Sequence, residues 1–169
     1  PMKFSTSPRS HSNALVMAAA LATFSAATMA PATDAHAAAA FDALKGGWSG
    51  SGTARFASGD TEKLRCTARY SGGGSSLSLN LKCASSSAQI NLTGHLDANG
   101  NKVSGNWSEN SYGQSGEAYG SATGNSVRLR ISGTQSGFLT LNVSGRRHTV
   151  AITTKGSTLQ SVNVSLGRR

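Results

Sequence analysis

"LRCTARYSGGGSSLSLNLKC", residues 64–83, holds two runs of alternating apolar and polar residues on either side of a glycine-rich turn. Leu64, Cys66, Ala68 and Tyr70 alternate with Arg65, Thr67 and Arg69, and Leu77, Leu79, Leu81 and Cys83 alternate with Ser78, Asn80 and Lys82. A period of two marks a half-buried strand, because successive side chains point to opposite faces of a sheet. Joined by "SGGGSS", the two runs read as a hairpin. If Cys66 faces Cys83 across it, Tyr70 faces Leu79 and the loop runs from Gly72 to Leu77. These are the chain's two cysteines. In an oxidising compartment they are expected to form a disulfide, which on the chain-entropy argument contributes about 3 kcal/mol.

The alternation continues on both sides of this hairpin. Residues 47–56 form a first strand, and Ala88, Ile90, Leu92 and Leu96 lead to a turn at "DANG". Val103, Gly105 and Trp107 follow, then "EAYGSA", then Val127, Leu129 and Ile131, then Leu139, Leu141 and Val143. After "SGRR" come Val150 and Ile152, and after "KGS" come Leu159, Val162, Val164 and Leu166. The step from Leu159 to Val162 breaks parity and predicts a bulge near Gln160. About ten short strands joined by tight turns, with no helix long enough for a crossover, predict an all-β fold. An antiparallel up-and-down β-barrel of about 8–10 strands is expected, since closure removes exposed edges and hairpin connections suffice. A β-sandwich is the alternative. A barrel spanning an outer membrane would need a lipid-facing apolar band, whereas one face of each strand here is Ser, Thr, Asn, Lys and Arg.

The N-terminus has a different character. Lys3 and Arg9 precede the small apolar run "ALVMAAALATFSAATMA" of residues 14–30, and Ala35-His36-Ala37 has the A-x-A form of a cleavage site. Residues 1–37 therefore read as a signal peptide, 38–46 as a lead segment and 47–169 as one barrel domain, periplasmic or secreted, with no transmembrane segment in the mature chain. From residue 38 onward, five Lys and nine Arg oppose six acidic residues, a net charge of +8. That balance favours acidic partners through salt-sensitive attraction. Nucleic acid is disfavoured, because the few aromatics are not interleaved with the basic pairs Arg128/Arg130, Arg146/Arg147 and Arg168/Arg169.

Gly46-Gly47-Trp48, just before the first strand and after Phe41 and Leu44, resembles the start of the calycin-type small barrels: lipocalins, fatty-acid-binding proteins, avidins and bacterial relatives. The resemblance implies that Trp48 plugs one end of the barrel beneath a basic residue of the last strand, a place that Arg168 holds here, with a cation–π contribution of about 0.5 to 2 kcal/mol. Gly50 and Gly52 share the Trp48 face and would let the strand bend. The chain is also similar to small exported proteins of alphaproteobacteria that pair a "W-S-G-x-G" with a later "G-x-W-S-E", a likeness that carries no function with it.

Candidate ligand contacts are Tyr70, Trp107, Glu109 and Tyr119. Trp107 shares its face with Val103 and Gly105 and is expected to pack in the core. Glu109 continues that face, but its place at a strand end predicts a solvated rim. An acid that pointed inward would have to pair or serve a ligand. His95 and His148 read as exposed or turn residues without metal-ligand spacing, so no metal or cofactor is expected. Scattered acids and abundant serines make no hydrolytic constellation, and the expectation is a protein that is not an enzyme. The function expected is a calycin-like barrel holding a small apolar or amphipathic ligand. The alternative is an interaction module, a secreted-protease inhibitor or an envelope protein, whose partner is an acidic protein or anionic glycolipid.

Overall fold

A computed structural model describes residues 35–169. The signal-peptide expectation falls on residues 1–37 and so lies almost wholly outside the described residues; the cleavage motif forms the first turn of the helix described next. Helix α1 (Ala35–Leu44) is followed by ten strands: β1 (Gly46–Phe56), β2 (Thr61–Gly73), β3 (Ser76–Ala84), β4 (Gln89–Asn99), β5 (Lys102–Glu109), β6 (Gln114–Thr123), β7 (Ser126–Gly133), β8 (Ser136–Ser144), β9 (Arg147–Lys155) and β10 (Leu159–Arg168). Each strand pairs antiparallel with its neighbour in sequence and β10 closes on β1, giving a closed barrel rather than a sandwich.

Register follows the alternation. Cys66 pairs with Cys83 and Tyr70 with Leu79, and the disulfide between the cysteines is formed. The ladder runs further than expected, to Gly73 opposite Ser76, so the turn shrinks to Gly74-Ser75. At β1–β10 the pairing passes from Arg55 opposite Ser161 to Phe56 opposite Leu159, which leaves Gln160 as the extra residue of a bulge. The bulge restores the inward parity of Val162, Val164 and Leu166, all buried.

The two ends differ. At one, four two-residue turns carry Gly74, Gly100, Gly124 and Gly145 in the left-handed region, with φ between 55° and 64°. At the other, the connections are longer loops of small polar residues, apart from the short Thr134-Gln135 link. Tight curvature of the wall depends on glycine at inward positions. A Cβ on Gly50 would run into the Ser165 carbonyl oxygen, and one on Gly105 into that of His95.

The lead segment is helical, and α1 closes the tight-turn end. Its alanines favour helix, and Ala37, Ala40, Phe41 and Leu44 recur at i, i+3, i+4, i+7, giving one apolar stripe that is buried in the barrel. The wall's outer face carries Ser, Thr and Asn among scattered Lys and Arg, without an apolar band. Among the described residues no helix is long and apolar enough to cross a membrane.

Candidate functional site: a closed base and an open apolar cavity

The base of the barrel is built around Trp48, which is fully buried. Its Nε1–H donates to the Leu44 carbonyl at 2.7 Å, tying β1 to the end of α1. The Arg168 guanidinium lies 4.7 Å from the indole centroid and donates to the Ala43 and Lys45 carbonyls at 2.8 and 2.9 Å. Arg168 thus stacks on the plug and caps the helix C-terminus, whose last carbonyls lack intrahelical partners. Across the helix, the Asp42 carboxylate meets Lys45 at 3.1 Å and accepts from the Gly74 amide, and these two contacts, the Lys45 one foremost, hold its carboxyl below the ordinary range.

Two expectations change at this base. His148, expected at the surface, is 1% exposed and packs edge-on against Trp48, with centroids 5.0 Å apart. It shares inward parity with Val150 and Ile152, a signal that its neighbour Arg147 obscured. Burial lowers the His148 pKa to about 4, so the imidazole is neutral. Tyr70 is buried beside it, its hydroxyl hydrogen-bonded to His148 Nε2 at 3.2 Å, and burial raises its pKa. As a ligand contact Tyr70 is therefore corrected: it faces inward, but into the filled base.

Above this layer the barrel is open. A cavity of about 340 Å³ reaches to the long-loop end, with walls of apolar side chains that include Phe56, Leu79, Ile131, Leu139 and Ile152. These five are only partly buried although they point inward, because the space they face is empty of protein. Trp107 lies in this wall, half-buried, and its Nε1–H donates to the Ser132 carbonyl at 3.3 Å.

Glu109 is also in the wall, only 7% exposed, which corrects the solvated-rim expectation. Its Oε1 accepts from the Asn91 and Ser111 amides at 2.8 and 3.0 Å, and its Oε2 from the Tyr112 amide at 2.8 Å. The carboxylate thereby orders the β5–β6 loop, on which Tyr112, a wall residue that sequence reasoning missed, stands 59% exposed. Nearby, hydroxyls of Ser85 and Ser87 hold the Glu62 carboxyl below its ordinary range.

Tyr119 is corrected outright. It lies on the outer face, in register with Arg130 and, beyond it, Phe138, whose ring the Arg130 guanidinium overlies at 5.3 Å. Parity carried the signal, since Ala118 and Ala122 hold the inward positions of that strand. His95 is exposed on the outer wall beside Ser78 and Asp97. Among the described residues no three His, Cys, Asp or Glu side chains gather as metal ligands.

No family model matches the chain, and no curated protein sequence matches it. Solved structures do match. Rv2717c from M. tuberculosis superposes with a TM-score of 0.60 at 15% identity, over 77% of this chain and 95% of that one. The S-type phycobiliprotein lyase CPES from Guillardia theta does so with a TM-score of 0.55 at 12% identity, over 76% and 90%. The second corrects the expectation that the chain is not an enzyme: a barrel of this architecture belongs to a phycobiliprotein lyase. The missing hydrolytic constellation argued only against one kind of chemistry, whereas a cavity can also promote reaction by holding and orienting a ligand. At these identities the likeness establishes architecture alone, and that architecture is a closed antiparallel β-barrel.

Proposed function

We propose that this protein is an exported barrel that binds a small apolar or amphipathic molecule in the cavity at its open end. The observation that carries this reading is the division of the interior. Helix α1, Trp48 and their neighbours bury their apolar side chains in one half, and the other half is left as an apolar space of about 340 Å³. Leaving partly exposed apolar side chains around an empty space forgoes about 25 cal/mol per Å² of buried surface, and a ligand restores that burial. Trp107 and Glu109 are the contacts of the earlier expectation that remain candidates. Export rests on the N-terminal signal-like run and on the Cys66–Cys83 disulfide, which persists in oxidising compartments. Basic side chains are spread around the wall on β1, β2, β3, β5, β7 and β9. That distribution gives no preference to an acidic protein or an anionic glycolipid as partner.

The test is uptake of the neutral fluorescent probe N-phenyl-1-naphthylamine. Wild type is expected to bind it saturably at one site. Leu139→Trp, which puts an indole into the cavity, is expected to reduce the affinity by at least about tenfold while leaving the fold intact. Equal binding by wild type and Leu139→Trp contradicts the assignment.

A further inference from the structure

We propose that the cavity selects amphiphiles whose head group is an alcohol or amine and discriminates against fatty-acid carboxylates; the inference rests on the ligand-binding reading above. The chain carries sixteen Lys and Arg against seven acids, yet among the described residues no Lys, Arg or His lines the cavity. The carboxylate in its wall is Glu109. An ionised carboxylate offers about four lone-pair sites, and backbone amides use three of them, two on Oε1 and one on Oε2. Oε2 therefore keeps capacity for one further donor.

Some donors in the wall are spent within the protein, and those that remain, on Asn106, Tyr112, Ser157 and Thr158, are neutral. Trp107 Nε1–H goes to the Ser132 carbonyl, Thr93 Oγ1–H to the Ser108 carbonyl and Thr154 Oγ1–H to the Leu159 carbonyl. Gln114 and Gln135, both in the cavity lining, supply neutral amides and no cation. Around the mouth, Asp60 and Glu62 carry negative charge, and the cations there, Arg55, Lys63 and Lys155, are exposed on the outer face of β1, β2 and β9 rather than in the cavity lining. A carboxylate head group entering this space would lose water, meet no cation and face the like charge of Glu109. A hydroxyl or ammonium group would donate to the free position on Glu109 Oε2 while its chain covers the apolar wall.

The cavity, about 340 Å³, opens at the long-loop end, so a medium-chain amphiphile can lay its chain along the apolar wall with its head group at Glu109.

The experiment is displacement of N-phenyl-1-naphthylamine at pH 7.5 by decan-1-ol, decylamine and decanoate, the alcohol below its solubility limit and the two ions below their micelle concentrations. The expected result is that the alcohol and amine displace the probe at concentrations about tenfold or more below decanoate, the scale set by leaving one charged group unpaired. Glu109→Gln is expected to narrow the gap between decylamine and decanoate, and its melting temperature shows separately whether the β5–β6 loop has loosened. Decanoate displacing as well as or better than the alcohol overturns the selectivity and leaves the cavity reading standing. A bound probe that none of the three displaces, or no probe uptake at all, overturns the cavity reading and the selectivity with it.

Discussion

Arg168 does three things at one position: it stacks on Trp48 and donates to two carbonyls at the end of α1. Arg168→Met keeps much of the stem and removes the charge and its donors, so unfolding by urea is expected to show a loss of roughly 1 to 3 kcal/mol. Arg168→Lys is expected to recover little, because an ammonium cannot stack and reach both carbonyls at once. His148 gives a prediction with a sign. Its folded pKa, about 4, lies below the ordinary value of 6.5 because burial disfavours the charged form. The unfolded chain therefore takes up the proton first. The contribution of neutral His148 to stability is present above about pH 6.5 and is lost as pH falls toward 4. Comparing urea midpoints at pH 7 and 4.5, wild type should lose more stability than His148→Gln, which cannot titrate and can still bond the Tyr70 hydroxyl. An equal loss in the two proteins removes His148 as the cause. Neither this histidine nor Tyr70 was placed correctly by residue type. Parity identified the face of Tyr70 but not its depth, since depth depends on which end of the barrel the helix closes.

Elements were the most legible scale. The alternation in "LRCTARYSGGGSSLSLNLKC" specified a hairpin and its register, because a slip of one residue would turn Leu64, Cys66, Ala68 and Tyr70 outward together. The parity break between Leu159 and Val162 located the bulge at Gln160 for the same reason. The sequence was less direct about α1. Its apolar stripe is four residues in an alanine-rich stretch that also reads as the end of a leader, so periodicity and processing signals overlap there. Two substitutions test the wall. Replacing Cys66 and Cys83 together by Ser is expected to lower stability by about 3 kcal/mol, the value for a loop of this length, with the separation of 17 residues setting the loop. Gly105→Val should destabilise by roughly 1 to 3 kcal/mol, because a side chain there meets the His95 carbonyl and must push β4 and β5 apart. A Gly105→Val protein with an unchanged melting temperature would show that the wall yields without strain.

At the scale of the whole molecule, the strand count and closure could be anticipated from hairpin after hairpin with no crossover, but the unequal filling of the interior could not. Ten strands with alternating apolar residues are compatible with a packed core or with a cavity. The difference lies in side-chain volume, layer by layer: Phe41, Leu44, Trp48, Tyr70 and His148 crowd one end, while Ala54 and Ala118 leave space in the other. That partition is why Trp107 and Glu109 border the cavity although the same spacing could have buried one and solvated the other. The most direct measurement is native mass spectrometry of the protein purified from its own host without organic solvent, followed by denaturing mass spectrometry of the same sample. The expected result is a one-to-one non-covalent adduct, lost on denaturation, with the mass of a neutral or amine-bearing amphiphile. A bare chain in the native spectrum that also fails to take up decan-1-ol would contradict the binding cavity.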